Sequence, residues 1–223
     1  MPGAAAFFDL DRTLLRRSSA LALAPAFHAA GLISRRELAK AAAWQLLFAV
    51  RGAGHSAVKR AAEDGLTVLR GFTPEELQAL VAGSMERVLR PLVYAESLDL
   101  VERHRRRGEP VYIVSATLQE IVQAIADDLG FDGALGTVCE VVDGRYTGRA
   151  IRALHAESKA RCIRELDHDL AASTAYSDSH TDLPFLEAVG QAVAVNPDRR
   201  LRRIALARGW PVLEFSGRAF RAA

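Results

Sequence analysis

The hydrophobic pattern opens with a strand-length apolar run, residues 4–9 (AAAFFD), that drives straight into two carboxylates, Asp9 and Asp11. Residues two apart on an extended chain point the same way, so both acids leave the strand on one side. From residue 18 to about residue 92 the pattern is helical. Alanine and leucine dominate, Gly31 and Gly52-Ala53-Gly54 interrupt them, and no strand stands out. Thr73-Pro74-Glu75-Glu76 marks a helix start there, with Thr73 at the N-cap and proline at the first helical position. Alternation resumes near Tyr94. The spacing predicts a helix over 95–107 with Gly108 just past it, a buried strand over 111–115 and an amphipathic helix over 118–129. A hairpin follows over 137–142 and 145–150, turning at Asp143-Gly144. After it come a helix over 158–166 and short strands at 174–177, 192–195 and 212–215, with fraying expected over 217–223.

Strands that alternate with helices predict an α/β fold with a mostly parallel sheet covered on both faces. The helical stretch reads as an insertion after the first strand. Residues 1–17 and 93–223 then form the α/β core, and residues 18–92 form a separate helical unit. In such sheets the ligand site lies beyond the carboxyl ends of the strands. Three predicted strands deliver polar groups there: Asp9 with Asp11, then Ser115, then Asp178. Asp182 follows closely, and Lys159 lies on a neighbouring helix.

Composition narrows the classes. Half of the 223 residues are hydrophobic, enough for a sizeable core, and a net charge of +2 is too small to argue for nucleic acid. Cys139 and Cys162 lack metal-ligand spacing and make no disulfide framework, which fits a reducing cytoplasm. The first apolar run has no basic region before it and meets Asp9 too early for a signal peptide, so a cytoplasmic location is expected. Residues 41–50 (AAAWQLLFAV) are about half a membrane span and are expected to form a buried or partner-facing helix without stable membrane insertion. Arg103-His104-Arg105-Arg106-Arg107 reads as a solvated helix end favoured by the dipole.

The acids define the chemistry. Two carboxylates about 4 Å apart repel by roughly 4 kcal/mol at an effective dielectric near 20. Asp9, Asp11, Asp178 and Asp182 therefore call for cations, and hard oxygen ligands facing a substrate point to Mg²⁺. A metal, a lysine and a strand-to-helix turn at Ser115 are the parts of a phosphoryl-transfer site. No Walker A loop is present, so a carboxylate is expected as the nucleophile. Read singly, Asp11 or Thr13 also fits a helix cap, Lys159 a surface lysine, and His180 a loop residue rather than a ligand.

Asp9-Leu10-Asp11-Arg12-Thr13 resembles the D-x-D-x-T first motif of the haloacid dehalogenase superfamily. Ser115 within Ile113-Val114-Ser115-Ala116-Thr117 resembles its second motif, Lys159 its third, and Asp178-Ser179-His180-Thr181-Asp182 its acidic fourth. The four occur in order and span essentially the whole chain. The helical insertion resembles the C1-type cap of the phosphoserine phosphatase-like branch (subfamily IB), as do the hairpin EVVDGRYTGR and the helix at 182–188. The resemblance implies a Rossmann-like core, a small phosphate ester substrate and a Mg²⁺ cofactor. It implies that Asp9 attacks phosphorus, that Asp11 protonates the leaving oxygen and then activates water, and that Ser115 and Lys159 hold the phosphate. Asp9, the Asp11 carbonyl and Asp178 would hold Mg²⁺; Asp182 would position a metal-bound water or Lys159, and Thr13 would support the first loop.

Departures from that branch concern the substrate. Ser18, preceded by Arg16 and Arg17, stands where the branch carries a glutamate for the substrate amine. An apolar residue near residues 71–74 stands where its cap arginine would be, Ala116 replaces a glycine, and Thr181 replaces an asparagine. The chain is expected to be a phosphomonoesterase, with phosphoserine as one substrate among amino-alcohol, sugar or lysophospholipid-like phosphates. Phosphotransfer to an alcohol acceptor and a binding or regulatory role without turnover are the open alternatives. Trp44, Leu46, Leu47 and Phe48 are expected to pack between cap helices.

Overall fold

The computed structural model describes residues 2–36 and 66–217. These form one seven-stranded sheet in the order β4-β3-β2-β1-β5-β6-β7. The strands are β1 (Ala6–Phe8), β2 (Val111–Leu118), β3 (Gly133–Val142), β4 (Arg145–Arg152), β5 (Thr174–Ser177), β6 (Gln191–Val195) and β7 (Val212–Leu213). All neighbours pair in parallel except β3 with β4. The mostly parallel α/β architecture expected from the sequence is the one observed.

β1 is the shortest way to see why. Its residues are fully buried and alternate between two cores. Ala6, Phe8 and Leu10 join one cluster, and Ala5 and Phe7 join the other, as a period of two requires. Phe8 stacks on Tyr176 with ring centres 4.4 Å apart. Tyr176 in turn donates or accepts at His104 Nε2 (2.7 Å). His104 is therefore the buried exception in an arginine run whose other members are exposed, as a solvated helix end predicts.

The first cluster also receives the helical stretch. α1 (Ser19–Ala29) contributes Leu23 and Phe27, and α2 (Pro74–Ser84) contributes Leu77 and Val81. Thr73 caps α2 as its sequence predicts: its hydroxyl accepts from the Glu76 N–H, and Glu76 returns a bond to the Thr73 N–H (2.8 Å). A π-helical segment, Met85–Leu89, continues α2 toward α3 (Ala95–Arg106). Residues 41–50, with Trp44, Leu46, Leu47 and Phe48, lie outside the described residues. Among the described residues no helix is long and apolar enough to cross a membrane. Cys139 and Cys162 are both buried and free.

Three expected boundaries move. β2 runs to Leu118 before α4 (Gln119–Leu129), so Ser115 lies within the strand rather than at its end; the pairing register slips between Val114 and Leu118. β3 starts at Gly133, well ahead of residue 137, and joins β2 in parallel before turning into the hairpin. That early part is hidden in the sequence because close approach demands glycines: a Cβ on Gly133 would sit 2.8 Å from the Tyr112 ring, and one on Gly136 would sit 2.6 Å from the Gln119 Cα. The last strand shrinks to Val212–Leu213.

Gly190 is a similar constraint between the turn before β5 and the start of β6. A Cβ there would lie 1.8 Å from the Ala171 carbonyl oxygen, a backbone atom that cannot swing aside. We expect Gly190→Ala to cost about 1–3 kcal/mol. Gly83→Ala, inside α2 with open space around it, is expected to be neutral or to stabilise by about 0.5–1 kcal/mol. Urea midpoints of the two variants check the contrast, and equal midpoints would remove the steric account.

Candidate active site

The sheet order places β1 between β2 and β5, at the point where the connections switch direction. The carboxyl ends of these three strands make the crevice such folds use for ligands. Asp9 leaves β1 with its N–H donating to the Tyr176 carbonyl (3.0 Å), so the β1–β5 ladder runs right up to it. Asp178 leaves β5 one strand away, and Ser115 faces from β2. All three side chains are buried.

α5 (Glu157–Arg164) brings Lys159 into the same place. Its ammonium donates to Asp9 Oδ1 at 2.6 Å and to Asp182 Oδ2 at 2.8 Å, and lies 5.4 Å from the centre of the Phe185 ring. Lys159 is 3% exposed, which overturns the surface reading of this residue. Asp182 ends a 3-10 turn, His180–Asp182, and also accepts from the Ser177 hydroxyl (2.8 Å). α6 (Leu183–Leu186) follows directly and supplies Phe185.

Asp11 leads into a tight bend, with Arg12 directly after it at a φ of 63°. Its Oδ1 accepts from the backbone N–H of Ser19, the first residue of α1 (2.8 Å). The helix-cap alternative for Thr13 is corrected by the same geometry. The next helix starts at Ser19 with Ser18 in the N-cap position, and Thr13 is buried with its hydroxyl unbonded. What ties Thr13 down is its carbonyl, which accepts from the Ser97 hydroxyl (2.8 Å). Ser115 Oγ accepts from the Thr117 N–H (3.1 Å). His180 stands outside the cluster of acids: its N–H and Nδ1 both meet Asp198 Oδ2 at 2.8 Å.

Several contributors were not singled out by motif. Ser19, Thr117, Ser177, Phe185 and Asp198 have ordinary sequence contexts. Only Asp198 carried a local signal, as an acidic N-cap ahead of α7 (Arg199–Arg208), where it accepts from the Arg200 and Leu201 N–H groups. Its own N–H donates to the Asp178 carbonyl (2.8 Å), which pins the loop carrying that acid.

The site holds more negative charge than its one lysine answers. Burial pushes Asp9 up to about 7, against the pull of Lys159 and with added repulsion from Asp182 and Asp11. Asp178 is pushed well above the ordinary range by burial, then by Asp9 and Asp182, while Arg12 and Lys159 oppose the rise. Burial also raises Asp11, and the hydrogen bonds from Ser19 and Ser18 draw it back. For Lys159, burial works to lower the pKa, but Asp182 and Asp9 outweigh it and hold the ammonium protonated.

That imbalance suits a divalent cation. Among the described residues no group of three or more His, Cys, Asp or Glu side chains is arranged to hold a metal unaided. The carboxylates of Asp9 and Asp178 are a two-acid set of hard oxygens. This is the kind of partial cage that Mg²⁺ accepts, since it keeps waters and substrate oxygens for the remaining positions. The residues present fit the ion on that ground.

Residues 6–187 match the family model described as haloacid dehalogenase-like hydrolase. A probable phosphatase of Mycobacterium tuberculosis is 44% identical over 216 residues, covering 95% of this chain and 75% of the relative. A phosphoserine phosphatase of the same species is 37% identical over 218 residues, covering 95% of this chain and 71% of the relative. Among solved structures, a protein of unknown function from Bordetella pertussis superposes with a TM-score of 0.80 at 32% identity, covering 96% of this chain and 99% of that one. With the strand-end acids, the buried lysine and the matched motifs in one crevice, the chain belongs to the haloacid dehalogenase-like hydrolase family, among its phosphoserine phosphatase-like members.

Proposed function

We propose that the protein is a Mg²⁺-dependent phosphomonoesterase that cleaves a small organic phosphate through an aspartyl-phosphate on Asp9. The observation that carries this reading is the buried Lys159 ammonium bridging Asp9 and Asp182 beside Asp178. Lys159 engages Asp9 Oδ1, which leaves Oδ2 as the attacking oxygen. In the first step Asp9 forms an oxygen–phosphorus bond as the ester bond breaks, and Asp11 gives its proton to the departing oxygen. In the second step Asp11 takes a proton from water, which attacks phosphorus and releases Asp9 and inorganic phosphate. Ser115 and Lys159 hold phosphoryl oxygens through both steps. Mg²⁺, held by the carboxylates of Asp9 and Asp178 and the carbonyl of Asp11, would neutralise phosphoryl charge. Asp182 keeps Lys159 aimed, and Thr13 packs beneath the first loop. Residues 18–92 serve as the cap, and residues 1–17 with 93–223 as the core.

The substrate is a phosphate ester small enough for a capped pocket. Phosphoserine is one member of that class, supported by the relative that carries its name. Ser18 weighs against a dedicated ammonium site at that position, because a hydroxyl does not balance a positive charge there.

Phosphate release from a panel of phosphomonoesters, with and without Mg²⁺, tests the chemistry. Parent enzyme is expected to release phosphate only with the metal. Asp9→Asn is expected to lose more than about a thousandfold while keeping its circular dichroism spectrum. Near-normal release by Asp9→Asn would remove the nucleophile assignment.

The acids also make a stability prediction. Asp178 keeps its proton in the folded protein at pH values where the unfolded chain, near the ordinary 3.8, has lost it. The folded state then binds more protons than the unfolded one, so this residue's contribution to stability falls as pH rises above that value. In metal-free buffer, Asp178→Asn is therefore expected to gain on the parent with rising pH, by at most about 1.4 kcal/mol per pH unit. Added Mg²⁺ should raise the melting temperature of the parent and leave the variant unmoved. A variant less stable than the parent at neutral pH without metal would contradict the excess of charge.

A further inference from the structure

α1 begins against the active site in a way the family motifs do not describe. The first N–H groups of a helix have no partner within it. Here Ser18 occupies the N-cap position but gives the helix no side-chain bond. The Ser19 N–H is satisfied instead by Asp11 Oδ1, eight residues upstream, at 2.8 Å. The positive end of the helix dipole thus meets the carboxylate, where a negative charge is favoured.

Ser19 is also fully buried, and its hydroxyl lies 3.3 Å from Thr117 Oγ1. Thr117 donates its own N–H to Ser115 Oγ. A continuous chain of contacts therefore runs from Asp11 through the first residue of α1 to the serine assigned to the phosphate. The Ser18 and Ser19 hydroxyls also bond to Asp11, so the start of α1 holds this carboxylate through a backbone N–H and two side chains.

We infer that Ser19 is a positioning residue for Asp11: its N–H fixes one carboxylate oxygen so that the other meets the leaving oxygen, and its hydroxyl keys that arrangement to Thr117 and Ser115. This inference rests on the reading of Asp11 as the acid. A carboxylate free to rotate would still carry a proton, but would deliver it less often along the line of the breaking bond. The loss should therefore scale with how much the leaving group needs that proton. p-Nitrophenolate departs without help; an alkoxide does not.

The backbone accepts proline here, and the proline Cδ, in place of the N–H hydrogen, both deletes the bond and displaces Asp11 Oδ1. Ser19 is the first helical residue, where proline is tolerated, and Ser18 at φ −63° and ψ 126° already has the extended conformation required before proline. Ser19→Pro removes the N–H and the hydroxyl together, while Ser19→Ala removes the hydroxyl alone. The measured quantity is kcat/KM with Mg²⁺ for p-nitrophenyl phosphate, phenyl phosphate and glycerol 2-phosphate. This ratio covers events up to transfer onto Asp9 and omits the later hydrolysis.

Ser19→Pro is expected to lose on the order of 10- to 100-fold on glycerol 2-phosphate and less than about threefold on p-nitrophenyl phosphate, a fraction of what general acid catalysis supplies. Asp11→Asn is expected to show the same slope, more steeply. Ser19→Ala, which keeps the N–H bond but loses the hydroxyl's bonds to Asp11 and Thr117, and Thr117→Val, which loses only the hydroxyl contact, are expected to show a shallow slope of the same sign. They decide the matter if Ser19→Pro does not fold. Equal loss on all three esters, or no loss in any Ser19 or Thr117 variant while Asp11→Asn is selective, overturns the positioning role. A flat Asp11→Asn profile overturns the acid assignment itself, and the role of Ser19 with it.

Discussion

The structure depends on one buried cation and the acids gathered around it. Lys159 is enclosed between Asp9 and Asp182, which come from opposite ends of the sequence. A buried pair of this kind gives little net stability, because desolvating both partners offsets most of the attraction. Its consequence is geometric. It joins the end of β1, the start of α5 and the turn before α6 at a single atom, and it orients one oxygen of Asp9. Asp178, and Asp9 with it, resist ionising in this buried crevice. A bound divalent cation would release that cost, so the same crowding of acids favours binding of the metal.

The loops that hold these acids are fastened from behind rather than from within the site. Asp198 is the clearest instance. One of its carboxylate oxygens closes the first turn of α7, the other meets His180, and its N–H meets the Asp178 carbonyl. Although burial opposes ionisation, the bonds from His180 and Leu201 hold this carboxyl below the ordinary range. It is thus charged where Asp178 resists charge. A stable anion outside the crevice anchors the loop that carries an unstable one within it.

Much of this was legible in the residues. The β1 acids, the parallel sheet, the α2 cap at Thr73 and the short strand ending at Asp178 all follow from local patterns of two or of 3.6. The four motifs added the pairing of distant segments, which no local pattern contains. What stayed hidden has a common cause. The start of β3 reads as Gly133-Ala134-Leu135-Gly136 because two glycines are needed for the neighbouring chain to pass, and glycine carries no strand signal. The extension of β2 past Ser115 is obscured by a register slip. Ser19 and Thr117 are invisible because their work is done by a backbone N–H and by hydroxyls that any serine or threonine possesses. Thr13 invited a cap assignment that failed because α1 starts only at Ser19, with Asp11 supplying the carboxylate it meets.

That last point bears on how such a chain changes substrate while keeping its reaction. The proposed nucleophile Asp9 and Asp178 leave strand ends, Lys159 ties Asp9 to Asp182, and Asp198 fastens the Asp178 loop. Asp11, the proposed acid, is held by the first residue of α1. Position 18, one residue before that hold, is the place where the phosphoserine phosphatase-like pattern carries a glutamate and this chain carries a serine. A change there leaves the Ser19 N–H on Asp11 in place, because that N–H belongs to the backbone of residue 19, but it removes the Ser18 hydroxyl that also bonds to Asp11. The departure from the family pattern and the hold on the proposed acid thus sit on adjacent residues of one helix start, coupled through the Ser18 hydroxyl. Divergence in substrate within this architecture is then expected at side chains around position 18, while the backbone of α1 keeps its register against the acid.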